Sequence, residues 1–213
     1  MPHELVDVPG PRAVTATHER FRGKVWDVAS DEVDLGGGHI VTRDYLRHTG
    51  AVVIVALDAD GRVYLVRQYR HPVGAECWEP PAGLLDIADE APVAAAQREL
   101  FEEADLTAST WHTLVDYFPS GGGTSEAVRV FLARDLAEVP AEARHTREDE
   151  EADMIGAWVN LDDAVAAVLA GHVHASSAAV GLLAAAHARD AGFSTLRPAD
   201  APWQRPEETR LTR

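Results

Sequence analysis

The hydrophobic pattern of this chain changes period several times, and each change marks an element. Residues 51–57 are apolar without a break, Ala-Val-Val-Ile-Val-Ala-Leu, as expected of a strand buried on both faces. An Asp60-Gly61 turn follows, after which Val63, Leu65 and Arg67 alternate with Tyr64, Val66 and Gln68. The pattern predicts a central hairpin. Upstream, residues 24–46 hold two β-rich runs around Gly36-Gly37-Gly38, a second hairpin preceded by a polar arm. Downstream, a proline-punctuated loop leads to a helix beginning at Pro92. Val93, Ala96, Leu100 and Ala104 form the apolar stripe of that helix. Strands are predicted over 110–117 and 127–133, on either side of the Ser-Gly-Gly-Gly-Thr-Ser loop, with a short strand in "GAWV". Helices follow over 161–170 and 176–189, and the proline-rich, charged tail after Gly192 is expected to be loosely held. This order suggests an α/β fold, a mixed sheet sandwiched by helices.

Charge narrows the function. With 19 basic against 35 acidic side chains and a formal charge of −16, a nucleic-acid surface is excluded, because phosphate binding there depends on clustered Lys and Arg. A small anionic ligand is still compatible, since one or two arginines or a metal ion suffice. The seven-residue apolar run is far too short to span a bilayer. The N-terminus has no basic stretch followed by an apolar one, so no secretory signal is read. Cys77 is the only cysteine, which rules out an internal disulfide and fits a reducing cytoplasm. The histidines are scattered, and His172 and His174 have no neighbouring third ligand for zinc.

One helix carries candidate chemistry. Glu99, Glu102 and Glu103 fall within an arc of about 100°, adjoining the apolar stripe. Each like-charged pair at this spacing costs roughly 0.2–0.5 kcal/mol in an isolated helix. A solvated helix edge is the plain explanation. A divalent cation is the alternative, because it turns repulsion into shared coordination and Mg²⁺ or Mn²⁺ prefers oxygen-only donors.

Residues 83–106, "GLLDIADEAPVAAAQRELFEEADL", resemble the Nudix box, with Gly83, Glu90, Arg98, Glu99, Glu102, Glu103 and Leu106 matching its pattern. There is one extra residue between Gly83 and Glu90. Asp105 replaces the glycine at the helix end, where it is expected to adopt the left-handed conformation at modest cost. The segments "VTRDYLRHTGAVVIVAL", "RQYRHP", "WEPPAGLLD" and "EEADM" extend the likeness over about residues 20–190, to the ADP-ribose pyrophosphatase branch of Nudix hydrolases. Pro80-Pro81 and Gly121–Gly123 depart from that branch's usual Leu-Pro and Pro-Gly.

The resemblance implies a Nudix-type α/β/α sandwich at 49–195, an N-terminal antiparallel sheet at 1–48 that pairs two copies into a homodimer, and a tail at 196–213. It implies metal binding by Glu99, Glu102, Glu103 and the Ala82 carbonyl, with Mg²⁺ expected and Mn²⁺ an alternative. Arg98 and Glu90 would have supporting roles. Arg70 would contact the diphosphate, while Trp26 and Arg43 would hold substrate, Trp26 serving either as an adenine platform or in dimer packing. A glutamate of the acidic loop 146–154 would be the general base, Glu151 aligning best and Glu150 next to it. The implied reaction is hydrolysis of ADP-ribose to AMP and ribose 5-phosphate. NADH, another nucleotide sugar or an oxidised nucleotide are alternative substrates, and a non-catalytic nucleotide-sugar sensor is the alternative class.

Overall fold

The computed structural model describes residues 5–146 and 154–205. Strands β1 (Ala13–Arg22), β2 (Asp27–Asp34) and β3 (Ile40–Arg47) form an antiparallel sheet in that order. The β2–β3 hairpin turns through Gly36, Gly37 and Gly38, all at positive φ (110°, 66° and 79°), a conformation glycine adopts without steric cost. Strand β1 occupies the expected polar arm. It is exposed on both faces within one chain, so its residues show no inside–outside alternation by which to recognise a strand.

The apolar run forms β4 (Ala51–Ala56), followed by β5 (Arg62–Arg70), β6 (Ala75–Glu79) and β7 (Ala82–Leu84). Helix α1 (Pro92–Ala104) leads into β8 (Leu106–Tyr117) and β9 (Val128–Glu138), and β10 (Ile155–Asn160) precedes helices α2 (Leu161–Leu169) and α3 (Ser176–Asp190). A two-residue strand, β11 (Arg197–Pro198), closes the edge. The main sheet has the order β11-β8-β9-β4-β7, with β4 and β9 parallel and the other pairs antiparallel. A second sheet has the order β10-β5-β6.

Period-two alternation on β4 builds the layers. Val53 and Val55 face Leu161, Ala178, Leu182 and Ala185 of α2 and α3. Val52, Ile54 and Ala56 face Ala95, Ala96, Leu100 and Ala104 of α1. Every residue from Val52 to Ala56 is 2% exposed or less, which explains the unbroken apolar run. The sandwich of helices about a mixed sheet matches the expected class.

Three local expectations need correction. The predicted central hairpin does not form a ladder: β4 and β5 meet only at the Leu57–Val63 bridge around the Asp60-Gly61 turn. Both edges of β4 are already taken, by β9 and β7, so β5 diverges to pair with β6 and β10. The proline-punctuated segment contains two strands rather than a plain loop. Pro80-Pro81 separates them, and the Pro81 carbonyl still accepts from the Ile54 N–H at 2.8 Å. The segment 193–205 is packed, not loose. Arg129, 2% exposed on β9, donates to both oxygens of Asp116 (2.8 and 3.0 Å) and to the carbonyls of Ala201 and Pro202 (2.7 and 3.2 Å). It also lies beneath the Trp203 ring, 4.8 Å from the centroid. Arg197 holds the same aspartate at 2.9 Å.

Arg129→Leu leaves Asp116 and two carbonyls facing an apolar side chain. It is expected to lower stability by about 3–5 kcal/mol, as for one partner lost from a buried pair. Chemical denaturation reads this, and a change under about 1 kcal/mol would show that Arg129 does not hold the strap.

Candidate active site

The α1 carboxylates stand against the turn that feeds the helix. Pro92 occupies the first helical position, and Asp105 caps the end at φ 52°, the left-handed conformation expected of it, with its N–H on the Leu100 and Phe101 carbonyls. Between these ends Glu99 and Glu103 are buried, at 8% and 6% exposure. Glu103 Oε2 accepts from the Ala82 N–H at 2.9 Å. Gly83 lies directly over Glu99, and a Cβ there would overlap the Glu99 carboxyl group, so this close approach requires glycine.

The like charges are balanced within the chain. Arg98 donates through Nε and Nη2 to both oxygens of Glu90, at 3.1 Å each, and through Nη1 to Glu99 (2.6 Å) and Glu102 (3.1 Å). The Glu90 pairing, aided by the Glu99 charge, pushes the Arg98 guanidinium further above its ordinary value. Arg98 thus ties Glu90 to the two helix glutamates Glu99 and Glu102.

The Ala82–Gly83 turn that Glu103 and Glu99 touch lines a cleft of about 970 Å³, together with Arg70, Trp26, Tyr117 and Val128 among others. Arg70 is clamped by Glu79 on β6, Nε to Oε1 at 3.1 Å and Nη2 to Oε2 at 2.7 Å, which raises its affinity for its proton. Trp26 is 43% exposed at the rim. Arg43 is not in this cleft: it is exposed on β3 and donates to the Thr42 carbonyl. Glu150 and Glu151 lie outside the described residues.

Sequence reading passed over several cleft residues. Glu79 stands before Pro80-Pro81 in an otherwise apolar context, which could have marked it. Glu126 ends the glycine-rich loop just before the apolar residues of β9. His48 precedes the Thr49-Gly50 corner, and its Nδ1 accepts from the Gly50 N–H at 3.0 Å, which places the ring proton on Nε2. That Nε2 is 3.8 Å from Glu126 Oε1. Burial lowers the His48 pKa and raises that of Glu126, and burial also pushes the Tyr117 phenol up to about 12. Tyr117 therefore remains a neutral hydroxyl at pH 7.

The donor set suits a hard divalent cation. Two buried carboxylates and a third beside them supply only oxygen, at a turn whose backbone carbonyl is also available. Among the described residues no three His, Cys, Asp or Glu side chains converge as a ready coordination set. The hydrogen bonds explain this, because Glu103 is turned to the Ala82 amide and Glu99 and Glu102 to Arg98.

Fold and site together define a hydrolase-type domain in which one helix presents buried carboxylates beneath the edge of a mixed sheet. Residues 47–179 match the NUDIX domain family model, and the chain belongs to the Nudix family. It is 47% identical to an ADP-ribose pyrophosphatase of Mycobacterium tuberculosis over 182 residues, 85% of this chain and 86% of that protein. An ADP-ribose pyrophosphatase of Bacillus subtilis is 35% identical over 159 residues, 75% and 84% of the two chains. The solved structure of an ADP compounds hydrolase superposes with a TM-score of 0.71 at 17% identity, covering 88% of this chain and 99% of the other, a likeness of fold.

His48 and Glu126 should affect acid stability in opposite directions. His48 takes its proton less readily folded than unfolded, so its contribution is present above pH 6.5 and lost as pH falls below it. Glu126 holds its proton more readily folded, so its contribution is present below pH 4.5 and lost as pH rises through its folded value. In denaturation series across this range, His48→Gln should flatten the loss on the acid side, whereas Glu126→Gln should steepen it. Unchanged slopes in both variants would contradict the assignment.

Proposed function

We propose that this protein hydrolyses the diphosphate bond of ADP-ribose, giving AMP and ribose 5-phosphate, with Mg²⁺ as the working cation and Mn²⁺ able to replace it. The observation that carries this reading is the buried Glu99–Glu103 pair held against the Ala82–Gly83 turn, a turn that lines one cleft with Arg70. Two relatives named as ADP-ribose pyrophosphatases support the substrate. A divalent-metal requirement is general to Nudix hydrolases. Glu99, Glu102, Glu103 and the Ala82 carbonyl would hold the ion, which when bound neutralises diphosphate charge and makes a water nucleophilic.

The chain supplies the rest. Arg70, already oriented by Glu79, has an exposed guanidinium to offer the diphosphate, and its planar fork fixes the group as well as attracting it. Trp26 offers a ring face at the cleft rim for adenine. Gly83 keeps the Glu99 carboxyl against the turn. Glu151 is proposed as the general base, because carboxylates committed to a cation are poor proton acceptors, and Glu150 is its near alternative. The decisive assay follows products from ADP-ribose and a nucleoside triphosphate, with and without chelator. ADP-ribose should be cleaved faster and only with metal, and Glu151→Gln should lose about 10²–10⁴ in turnover with binding kept. Faster triphosphate cleavage would overturn the substrate reading, and near-native turnover of Glu151→Gln would overturn its role.

The protein is also proposed to work in the cytoplasm as a homodimer. Sheet β1–β3 supports the dimer: β1 is exposed on both faces, and Phe21, Trp26, Ile40 and Leu46 are exposed apolar residues on or beside these strands. Arg43, remote from the cleft of its own chain, would then reach a partner's substrate. Solution scattering at micromolar concentration should give a dimer mass, and a monomer would remove this part of the proposal. Among the described residues no helix is long and apolar enough to cross a membrane.

A further inference from the structure

Three polar side chains of the Arg70 cleft, His48, Tyr117 and Glu126, take no part in the cleavage proposed above. Two of them face each other without meeting. His48 uses Nδ1 on the Gly50 N–H, so Nε2 carries the ring proton, and it stands 3.8 Å from Glu126 Oε1. That is too far for a hydrogen bond. Burial lowers the His48 pKa, so the imidazole is neutral at pH 7 and the contact is not an ion pair either. Neither side chain is sealed, since Glu126 is 24% and His48 9% exposed and both line the cleft. Among the described residues no side-chain hydrogen bond occupies the Glu126 carboxylate or His48 Nε2.

The backbone holds this gap open. The Ser125 N–H donates to the Leu46 carbonyl at 2.9 Å, and the Ser125 hydroxyl accepts from the His48 N–H at 3.0 Å. The Glu126 N–H donates to Thr124 Oγ1 at 3.1 Å. The glycine-rich loop and the segment entering β4 are therefore fastened together, and the spacing of the two side chains with them. What fits between an N–H donor and a carboxylate acceptor is a hydroxyl, which accepts from one and donates to the other. A phosphate does not suit the place, because it brings no proton for Glu126 and meets a like charge there. Tyr117 adds a neutral hydroxyl to the same cleft, near enough to Glu126 that the carboxylate charge helps it keep its proton.

We propose that His48 and Glu126 recognise the vicinal hydroxyls of a ribose and so set the preference of this cleft for ribose-bearing diphosphates. One hydroxyl accepts from His48 Nε2 and donates to Glu126 Oε1, and its neighbour donates to the other Glu126 oxygen. A site built to bond a hydroxyl rejects the analogue that lacks it, since its own polar groups are then left unpaired. The assignment rests on the proposed function for its substrate. ADP-ribose carries two such diols, one in the adenosine and one in the terminal sugar.

The test is a calorimetric titration of the full chain with Mg²⁺ present. One arm compares AMP with 2′-deoxy-AMP, the other ribose 5-phosphate with 2-deoxyribose 5-phosphate. None of the four has a diphosphate bond, so binding is read without turnover. In one arm the ribose form should bind about tenfold more tightly, and that arm identifies the ribose concerned. Glu126→Gln and His48→Gln should each bring the ratio in that arm toward one. If Glu126→Gln fails to fold, as read by its melting temperature, Glu126→Asp should show the same fall, its carboxylate being one methylene short. Equal affinities within both pairs, no measurable binding in either, or a ratio untouched by the variants would each overturn the proposal. ADP-ribose turnover is measured separately. No turnover with the ratio intact overturns the reaction and leaves the diol site, and turnover without the ratio does the reverse.

Discussion

The constraint on which the rest of this structure depends is that two carboxylates must be buried next to each other without metal-free protein falling apart. Glu99 and Glu103 are almost wholly removed from water, and burying an uncompensated charge is among the costliest events in folding. The chain compensates twice. Arg98 reaches from the same helix to Glu90, Glu99 and Glu102, and the Ala82 N–H donates to Glu103. These partners come from residues close in sequence or from the turn that starts the site, so the cluster is assembled as soon as α1 docks. The cost is flexibility in sequence: Gly83 admits no side chain, and Arg98 has no substitute with the same four-way reach.

Docking of α1 depends in turn on the apolar register of β4. A one-residue slip would send Val53 and Val55 toward α1 and Ile54 toward α2 and α3, exchanging two cores of different shape. The parallel partner β9 reinforces the register, because it pairs residue by residue from Ala51–Val128 to Ala56–Ala133 and itself carries Arg129. Through that arginine the segment 193–205 is fastened to the central sheet. The helix with the glutamates and the strap at the far end of the chain are thus held by adjacent strands.

What could be read in advance follows from locality. The box glutamates, Pro92 at the helix start and Asp105 at its end are short-range signals within one element, and the structure has all of them where expected. The β4–β5 hairpin was misread because the turn is local but strand pairing is not. An Asp-Gly turn predicts a reversal, and a reversal did occur, yet the partners of β4 lie 29–33 residues away on β7 and 77 residues away on β9. Strand β1 was invisible because neither of its faces is covered within one chain. Glu79 and His48 were missed because their partners, Arg70 and the Gly50 corner, acquire meaning only once the cleft exists. The resemblance supplied Arg70 without Glu79, the residue that orients it.

Net charge is a poor guide to what such a site can bind. The chain carries −16 overall, and a diphosphate is itself anionic, so a uniform field would repel it. Screening at physiological salt confines a surface charge to about 8 Å, however, so an exposed acidic residue farther away acts only weakly on a ligand in the cleft. Around the cleft the balance differs, since Glu79 is spent on Arg70, Glu126 is disfavoured as an anion by burial, and on α1, behind the Ala82–Gly83 turn, Glu99 and Glu102 are held by Arg98. A cation accepted by these carboxylates would reverse the local sign outright. An acidic protein can therefore take an acidic ligand because burial and pairing settle charge over distances of a few ångströms, while the total charge governs only how the molecule meets others in solution.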